Sequence, residues 1–316
     1  MVMNQPLVTI IVVCHNQVRF IREALESAVV QSYPNIEIIV IDDGSQDGSV
    51  TVINDIEEEG LPFNKMLVPI PQGYCRAFNK ALGLANGEYI IDLSADDVLL
   101  PERVAEGVAA LHNGDAGVNF CDAYYIDDLS RIQGTHYRRN SSGQIMDQVP
   151  EGNIFKQVLE RYFICTPTMM ISREVLDTIG GYDEDLYYED FDFWVRSARD
   201  YKYHFTNKVL VKKRVHKDSM SKAQYLPTSK MLPTTLKVCQ KAFDLCGTDE
   251  EFQALSARIS YELRQAVISN NYSVAIELHQ LLGCVQKQSV EYWIWGWLLT
   301  RGWDFSFLTR FIGKAR

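Results

Sequence analysis

Residues 7–14, Leu-Val-Thr-Ile-Ile-Val-Val-Cys, form an unbroken and largely β-branched apolar run. Nothing else in the chain constrains the fold as much. Strict alternation of apolar and polar residues would mark a strand with one wet face. A continuous run marks a strand covered on both faces, the ordinary state of an interior strand in a parallel sheet. Parallel strands need crossover helices, and the sequence supplies one. Phe20, Ile21, Ala24, Leu25, Ala28 and Val29 recur at helical spacing until Ser32-Tyr33-Pro34-Asn35 stops the pattern. Residues 36–41, Ile-Glu-Ile-Ile-Val-Ile, then read as a second strand and complete a strand–helix–strand unit.

The alternation continues. A short strand at residues 66–68 precedes a helix over about 76–85, a turn at Asn86-Gly87 and a strand at 88–93. Pro101 suits the first turn of a helix over 103–111, and 116–121 reads as another strand. Residues 130–152 are polar and glycine-rich, which predicts loops over one face of the sheet, and 209–211 reads as an edge strand. Beyond about residue 224 only helical patterns remain. Phe252, Leu255, Ile259, Leu263 and Val267 keep helical spacing, Asn270-Asn271 breaks it, and Val274, Leu278, Leu281 and Leu282 resume it, as in a helical hairpin. With 316 residues the chain exceeds what one core usually holds, so the expectation is an α/β domain over 1–222 and a smaller all-α region over 223–316.

The formal net charge of −10 argues against nucleic acid as a partner, because phosphate binding rests on clustered Lys and Arg. Seven cysteines without a C-x-x-C pair read as reduced thiols and point to the cytosol. No basic segment followed by an apolar core opens the chain, and no run approaches the ~18–20 apolar residues of a membrane span.

Acids collect where strands end. Asp42-Asp43-Gly44-Ser45 follows the second strand, at the sheet edge where ligands of such folds bind. A carboxylate there can accept a base N–H or a ribose hydroxyl, or it can cap the next helix. Ser94-Ala95-Asp96-Asp97 follows a second strand in the same way. Carboxylates suit hard Mg²⁺ or Mn²⁺, which often take one or two of them plus substrate phosphates. In Tyr187-Tyr-Glu-Asp-Phe-Asp-Phe-Trp194, the acids at 189, 190 and 192 offer a general base in an aromatic setting, or the acidic first turn of a helix. Lys212-Lys-Arg-Val-His-Lys217 can neutralise a diphosphate, with His216 as a neutral imidazole ligand, or can form a solvated face.

The order of these elements resembles the family 2 inverting glycosyltransferases with the GT-A fold, of the bacterial cell-surface polysaccharide type, over about residues 7–222. The resemblance is carried by Ile21-Arg-Glu-Ala-Leu-Glu-Ser-Ala-Val-Val-Gln-Ser-Tyr-Pro34 leading into Ile38-Ile-Val-Ile-Asp-Asp-Gly-Ser45. Ala85-Asn-Gly-Glu-Tyr89 before Ala95-Asp-Asp97, then Ile179-Gly-Gly-Tyr-Asp-Glu184, Glu189-Asp190 and Arg214-Val-His216 complete it. It implies a Rossmann-like, mostly parallel sheet with flanking helices and a nucleotide-sugar donor, by default UDP-linked. It implies a divalent cation, Mn²⁺ or Mg²⁺, and transfer to a hydroxyl of a glycan or lipid-linked acceptor.

By the same resemblance, Cys14, Asn16, Asp42 and Asp43 hold the nucleotide with Asp96 and Arg214, while Asp97, Asp96 and His216 serve the metal. Asp190, with Glu189 beside it, is the base. The chain departs from the family pattern at Val13-Cys14-His15, at Ser94-Ala95 and at Phe78, where a frequent Arg is replaced. A non-catalytic nucleotide-sugar-binding or scaffold subunit is the alternative. A nucleotidyltransferase would need a glycine-rich, lysine-bearing loop that the sequence lacks. Residues 289–316 interleave Trp, Phe and Tyr with Arg and Lys. That is the makeup of an interfacial segment at the inner face of the cell membrane, or of a surface closing the hairpin or forming a homodimer.

Overall fold

The run at residues 7–14 becomes β1 (Val8–Cys14), buried at every position. Around it the chain lays α1 (Ile21–Val29), β2 (Ile36–Asp43), α2 (Ser49–Glu58), β3 (Asn64–Val68), α3 (Tyr74–Leu82), β4 (Tyr89–Ser94) and β5 (Val98–Leu99). Next come α4 (Arg103–His112), β6 (Ala116–Ile126), β7 (Ile132–Thr135), α5 (Phe155–Glu160), β8 (Met170–Ser172), α6 (Arg173–Ile179), α7 (Asp190–Ser197) and β9 (Lys202–Arg214). Four helices end the order: α8 (Met231–Leu245), α9 (Asp249–Ile268), α10 (Tyr272–Gln286) and α11 (Val290–Arg301). The computed structural model describes residues 5–112, 114–217, 219–227, 229–286 and 290–301.

Among the described residues the strands form one nine-stranded sheet in the order β3-β2-β1-β4-β8-β6-β9-β5, with β7 on β6. The pairs β1–β2, β1–β4, β2–β3 and β6–β9 are parallel. β8 runs antiparallel to both β4 and β6, so β3, β2, β1, β4, β6 and β9 share one direction. This is the mixed, mostly parallel α/β sheet expected from the sequence. One strand needs correction. Residues 209–211 are not an edge strand but the middle of the thirteen-residue β9, which lies between β6 and β5. Its first half carries Lys202, His204, Thr206 and Asn207, and register shifts opposite Cys121–Ala123 break the pairing, so no apolar run marks it. The polar stretch after residue 130 also holds a strand, β7.

Two compact units result. The first, residues 1–154, 163–185 and 200–216, contains the whole sheet. The second, residues 155–162, 186–199 and 217–316, gathers α5, α7 and the four last helices. In the second unit the Thr248–Glu251 capping box starts α9. Asn270, at φ 58°, ends the turn after it, while Asn271 Nδ2 donates to Leu226 O (3.0 Å) and Ser269 Oγ (2.7 Å). The Asn-Asn break is therefore built into the structure. On α10 the His279 ring stacks on Tyr292 of α11 at 4.3 Å, beside Gly283 where a Cβ would meet that ring at 2.9 Å. Trp293, Ile294 and Trp297 of α11 are left exposed. No described helix is long and apolar enough to cross a membrane. The rest of the aromatic and basic tail read at 289–316, namely 289 and 302–316, lies outside the described residues.

One polar group sits deep in the first unit. Asp92 of β4 is buried and accepts hydrogen bonds from the Tyr74 hydroxyl (2.8 Å) and the Tyr182 hydroxyl (2.8 Å). Tyr182 stacks on Phe78 at 4.3 Å, and Asn79 holds its backbone through Nδ2 to Tyr182 O (2.8 Å) and Oδ1 from Tyr182 N (2.9 Å). Gly181 allows this approach. At its φ of +72° a Cβ would sit 2.6 Å from Asn79 Oδ1. Burial pushes the Asp92 carboxyl up to about 6 against the two hydroxyls, which act to lower it.

The folded chain thus keeps a proton on Asp92 that the unfolded chain releases near pH 4. The stability this contributes is complete below that pH and is lost as pH rises through about 6. Asp92→Asn keeps the uncharged shape. The difference in melting temperature, variant minus parent, should therefore grow from pH 4 to pH 7. A difference constant across that range would refute the assignment.

Candidate nucleotide and metal site

Parallel pairing sets where the first acids lie. β1 runs between β2 and β4, with Cys14 opposite Asp42 and Val13 opposite Ser94. Three strands therefore end together, and the acids following two of them share one sheet edge, where open α/β sheets bind ligands.

The turn after β2 is locked from several sides. Asp42 Oδ1 accepts Ser45 N at 2.9 Å. Asp43 accepts Gln72 N and Gly73 N, each at 2.8 Å, and so ties down the loop leading into α3. Gly44 has φ +69°, and a Cβ there would meet Pro71 Cδ at 2.6 Å, so only glycine lets this loop close. From the exit of β1, Asn16 N donates to Ser45 Oγ and Asn16 Oδ1 accepts Gln46 N, both at 2.8 Å. His15 Nδ1 lies 2.7 Å from Asp43 O, which fixes it as the donor and leaves Nε2 to accept from Asn16 Nδ2 at 2.9 Å.

Amid these partners, Asp42 Oδ2 is buried and receives no N–H or O–H from any described residue. Such an oxygen is costly to leave unmet and suits a donor brought by a ligand. Cys14 is buried beside it. Burial and the Asp42 charge push its thiol up to about 12, so it stays protonated at neutral pH and can be neither nucleophile nor thiolate ligand there.

The second acidic turn forms when Asp97 N bonds Ser94 O at 3.0 Å. The end of β9 then reaches it. His216 Nε2 lies 3.1 Å from Asp96 Oδ2, and Asp97 Oδ1 accepts Arg214 N at 2.7 Å. Burial acts to raise the Asp96 carboxyl, but the hydrogen bonds from His216 and Ser94 prevail and hold it below the usual range. Burial and the Asp96 charge drive Asp97 well above it. Two carboxyls packed this closely do not readily both carry a negative charge.

Among the described residues no three His, Cys, Asp or Glu side chains form a ready metal cage. A hard cation that draws its remaining ligands from substrate phosphates needs none, so Asp96, Asp97 and His216 fit Mg²⁺ or Mn²⁺ as an incomplete set.

Arg214 points into the fold. Its Nε donates to Asp96 O (2.9 Å), Nη1 to Asp127 O (2.7 Å) and Ser130 Oγ (3.1 Å), and Nη2 to Glu23 Oε2 (2.6 Å). Its guanidinium also lies 4.4 Å from the Phe20 ring centroid. Phe20 and Glu23 belong to the stretch that forms α1 and Ser130 to a polar loop, and all three meet Arg214 only in three dimensions. Glu189 and Asp190 stand in the second unit, at the start of α7, where Asp190 Oδ1 accepts Phe191 N at 2.6 Å and Glu189 O accepts Phe193 N at 2.9 Å.

The inward clasp predicts a stability effect. Arg214→Met strips the carbonyls of Asp96 and Asp127 and the Glu23 carboxylate of their donor. It should cost about 3 kcal/mol in urea unfolding with the slope unchanged, and Arg214→Lys should recover only part of the loss. A cost below about 0.5 kcal/mol, the level of an ordinary surface change, would contradict the clasp.

Known proteins resemble the chain in sequence and in fold. The family model for glycosyl transferase family 2 matches residues 9–180, more than half of the chain. An uncharacterized glycosyltransferase of Rickettsia typhi is 31% identical over 215 residues, 67% of this chain and 64% of that protein. The chain thus spans less than two thirds of that relative. One of Methanocaldococcus jannaschii is 29% identical over 224 residues, 67% of this chain and 72% of the relative. Among solved structures, Staphylococcus aureus TarS 1-349 in complex with UDP-GlcNAc aligns with a TM-score of 0.66 at 16% identity, covering 88% of this chain and 80% of TarS 1-349. A Pyrobaculum calidifontis mannosyltransferase in complex with GDP-Man and Mn²⁺ aligns at 0.60 and 18% identity, covering 95% and 80%. At such identities the structural likeness carries the GT-A fold alone. The sequence match carries more: the chain belongs to glycosyl transferase family 2.

Proposed function

We propose that the chain transfers a sugar from a nucleoside-diphosphate donor to an acceptor hydroxyl with inversion, within a catalytic segment at residues 1–222. The single observation that carries this reading is the shared edge, where the unmet Asp42 Oδ2 and the Asp96–His216 pair lie at the ends of the two parallel strands that flank β1. Asp42 accepts an N–H of the base, and Asn16, Cys14 and Asp43 shape its pocket. Asp43 does so by holding Gln72 and Gly73. Asp96, Asp97 and His216 hold the cation, which when bound supplies positive charge against the diphosphate. Arg214 keeps Asp96 and Asp97 in place from behind.

In the second unit, Asp190 takes the proton of the acceptor hydroxyl as its oxygen bonds to the anomeric carbon and the bond to the diphosphate breaks. Glu189 supports it from the preceding position. The neighbours in complex with UDP-GlcNAc and GDP-Man support a nucleotide sugar, UDP-linked by default. We read the acceptor as a glycan or lipid-linked hydroxyl in surface polysaccharide synthesis at the inner face of the membrane. The exposed Trp293, Ile294 and Trp297 support that placement.

With a mixed pool of UDP-, GDP- and dTDP-sugars and Mn²⁺, the purified chain should release nucleoside diphosphate. Asp190→Asn should slow release by about 10²–10⁴-fold while leaving the nucleotide-induced thermal shift intact. Release unchanged in Asp190→Asn removes the base assignment. Binding without any release, across the pool and with glycan acceptors added, favours a non-catalytic binding subunit.

A further inference from the structure

The segment bearing Glu189 and Asp190 is held on both sides by α8. Ahead of the pair, Tyr187 N donates to Thr234 Oγ1 at 3.0 Å, and the Tyr188 hydroxyl lies 2.7 Å from Thr235 Oγ1. Thr235 gives its own proton to Met231 O at 3.2 Å, so in the Tyr188 contact the tyrosine is the donor. Behind the pair, the buried Asp192 receives Lys241 Nζ and Arg196 Nη2, both at 2.6 Å. All of these residues belong to the second unit.

These groups are poor choices for a helix that only fills space. Two adjacent β-branched threonines, both buried, lower helix propensity, and a buried carboxylate with its cation carries a desolvation cost. Their hydroxyls and charge converge on the backbone and side chains around residues 187–192. A second layer supports the first. Arg258 of α9, buried, lies 4.2 Å from the Tyr162 ring centroid and 5.3 Å from that of Phe191, and it is held by Leu159 O (3.0 Å) and Glu262 Oε1 (3.3 Å). Phe191 is the residue next to Asp190.

We propose that α8, through Thr234, Thr235 and Lys241, is the positioning element of the acid pair Glu189–Asp190, so that the C-terminal helices take part in the chemistry. This rests on the reading of Asp190 as the base. Tethers three and two residues before Asp190 and two after it leave the intervening backbone little freedom. A base misplaced by about 1 Å can lose on the order of 10²-fold in rate.

The test uses the full chain and Thr235→Val/Lys241→Met, with Tyr188→Phe as a second variant that removes the same hydroxyl contact from the other side. Nucleoside diphosphate release from the mixed sugar-nucleotide pool with Mn²⁺ should fall at least tenfold in kcat in each. The donor KM and the affinity for UDP should stay within twofold, and Thr235→Ser/Lys241→Arg should return most of the rate. Amide hydrogen exchange over residues 186–193 should quicken at least tenfold in the same variants while the sheet is unchanged.

Rates within twofold of the parent, or exchange at 186–193 unaltered, overturn the proposal, as does a loss expressed in KM alone. If the double variant does not fold, Tyr188→Phe decides on the same readouts. Asp190→Asn separates the two readings. Full activity there sinks the base assignment, whereas an inactive Asp190→Asn beside an undiminished Tyr188→Phe sinks the clamp alone. If no sugar in the pool is turned over, the transferase reading fails and the exchange result alone decides the clamp.

Discussion

β1 is buried on both faces and hydrogen-bonded in parallel on both sides, to β2 and to β4. Burying seven such residues contributes about 1.5–3 kcal/mol for each large side chain, and a one-residue slip would tear every hydrogen bond from its partner. The register that results, Cys14 with Asp42 and Val13 with Ser94, lines up three strand ends. Each acid of the first unit's site inherits its place from that pairing. Strand packing thus creates the edge, and the loops only furnish it.

The furnishing is done by backbone amides more than by charged side chains. Asp43 spends both oxygens on Gln72 N and Gly73 N, and Gly44 permits it because no other residue clears Pro71. Asn16 joins the exits of β1 and β2 through Ser45 and Gln46. Arg214 performs the equivalent service for the second turn, binding Asp96 O from one side while its own N–H reaches the Asp97 carboxylate. What such a lattice leaves over is informative. Asp42 Oδ2 is left without an N–H or O–H donor among the described residues, and Asp96 and Asp97 stand as adjacent carboxyls with His216 beside them.

Long apolar strands and amphipathic helices were legible in the sequence because burial imposes a period on residues that all lie nearby. α2 carried no such signal, since its only buried apolar residues are Ile53 and Ile56 and its first turn holds Val50, Thr51 and Val52. β9 was read as three residues of thirteen because its first half is polar and bulged. The acidic turns could be found as motifs, each being a few adjacent residues after a strand. Their partners could not. Glu23, Ser130 and Phe20 around Arg214, or Thr234 and Thr235 around Tyr187 and Tyr188, are brought in from distant parts of the chain, and no local pattern marks the pairing.

A single nucleotide and cation site at the two acidic turns, as proposed, has a thermodynamic signature. Titration calorimetry of UDP, with Mn²⁺ and then with chelator, measures it most directly. Mn²⁺ should tighten UDP binding at least tenfold, Asp96→Asn/His216→Ala should abolish this gain, and Asp42→Asn should weaken UDP binding in both conditions. UDP affinity indifferent to the metal and to both sets of substitutions would contradict it.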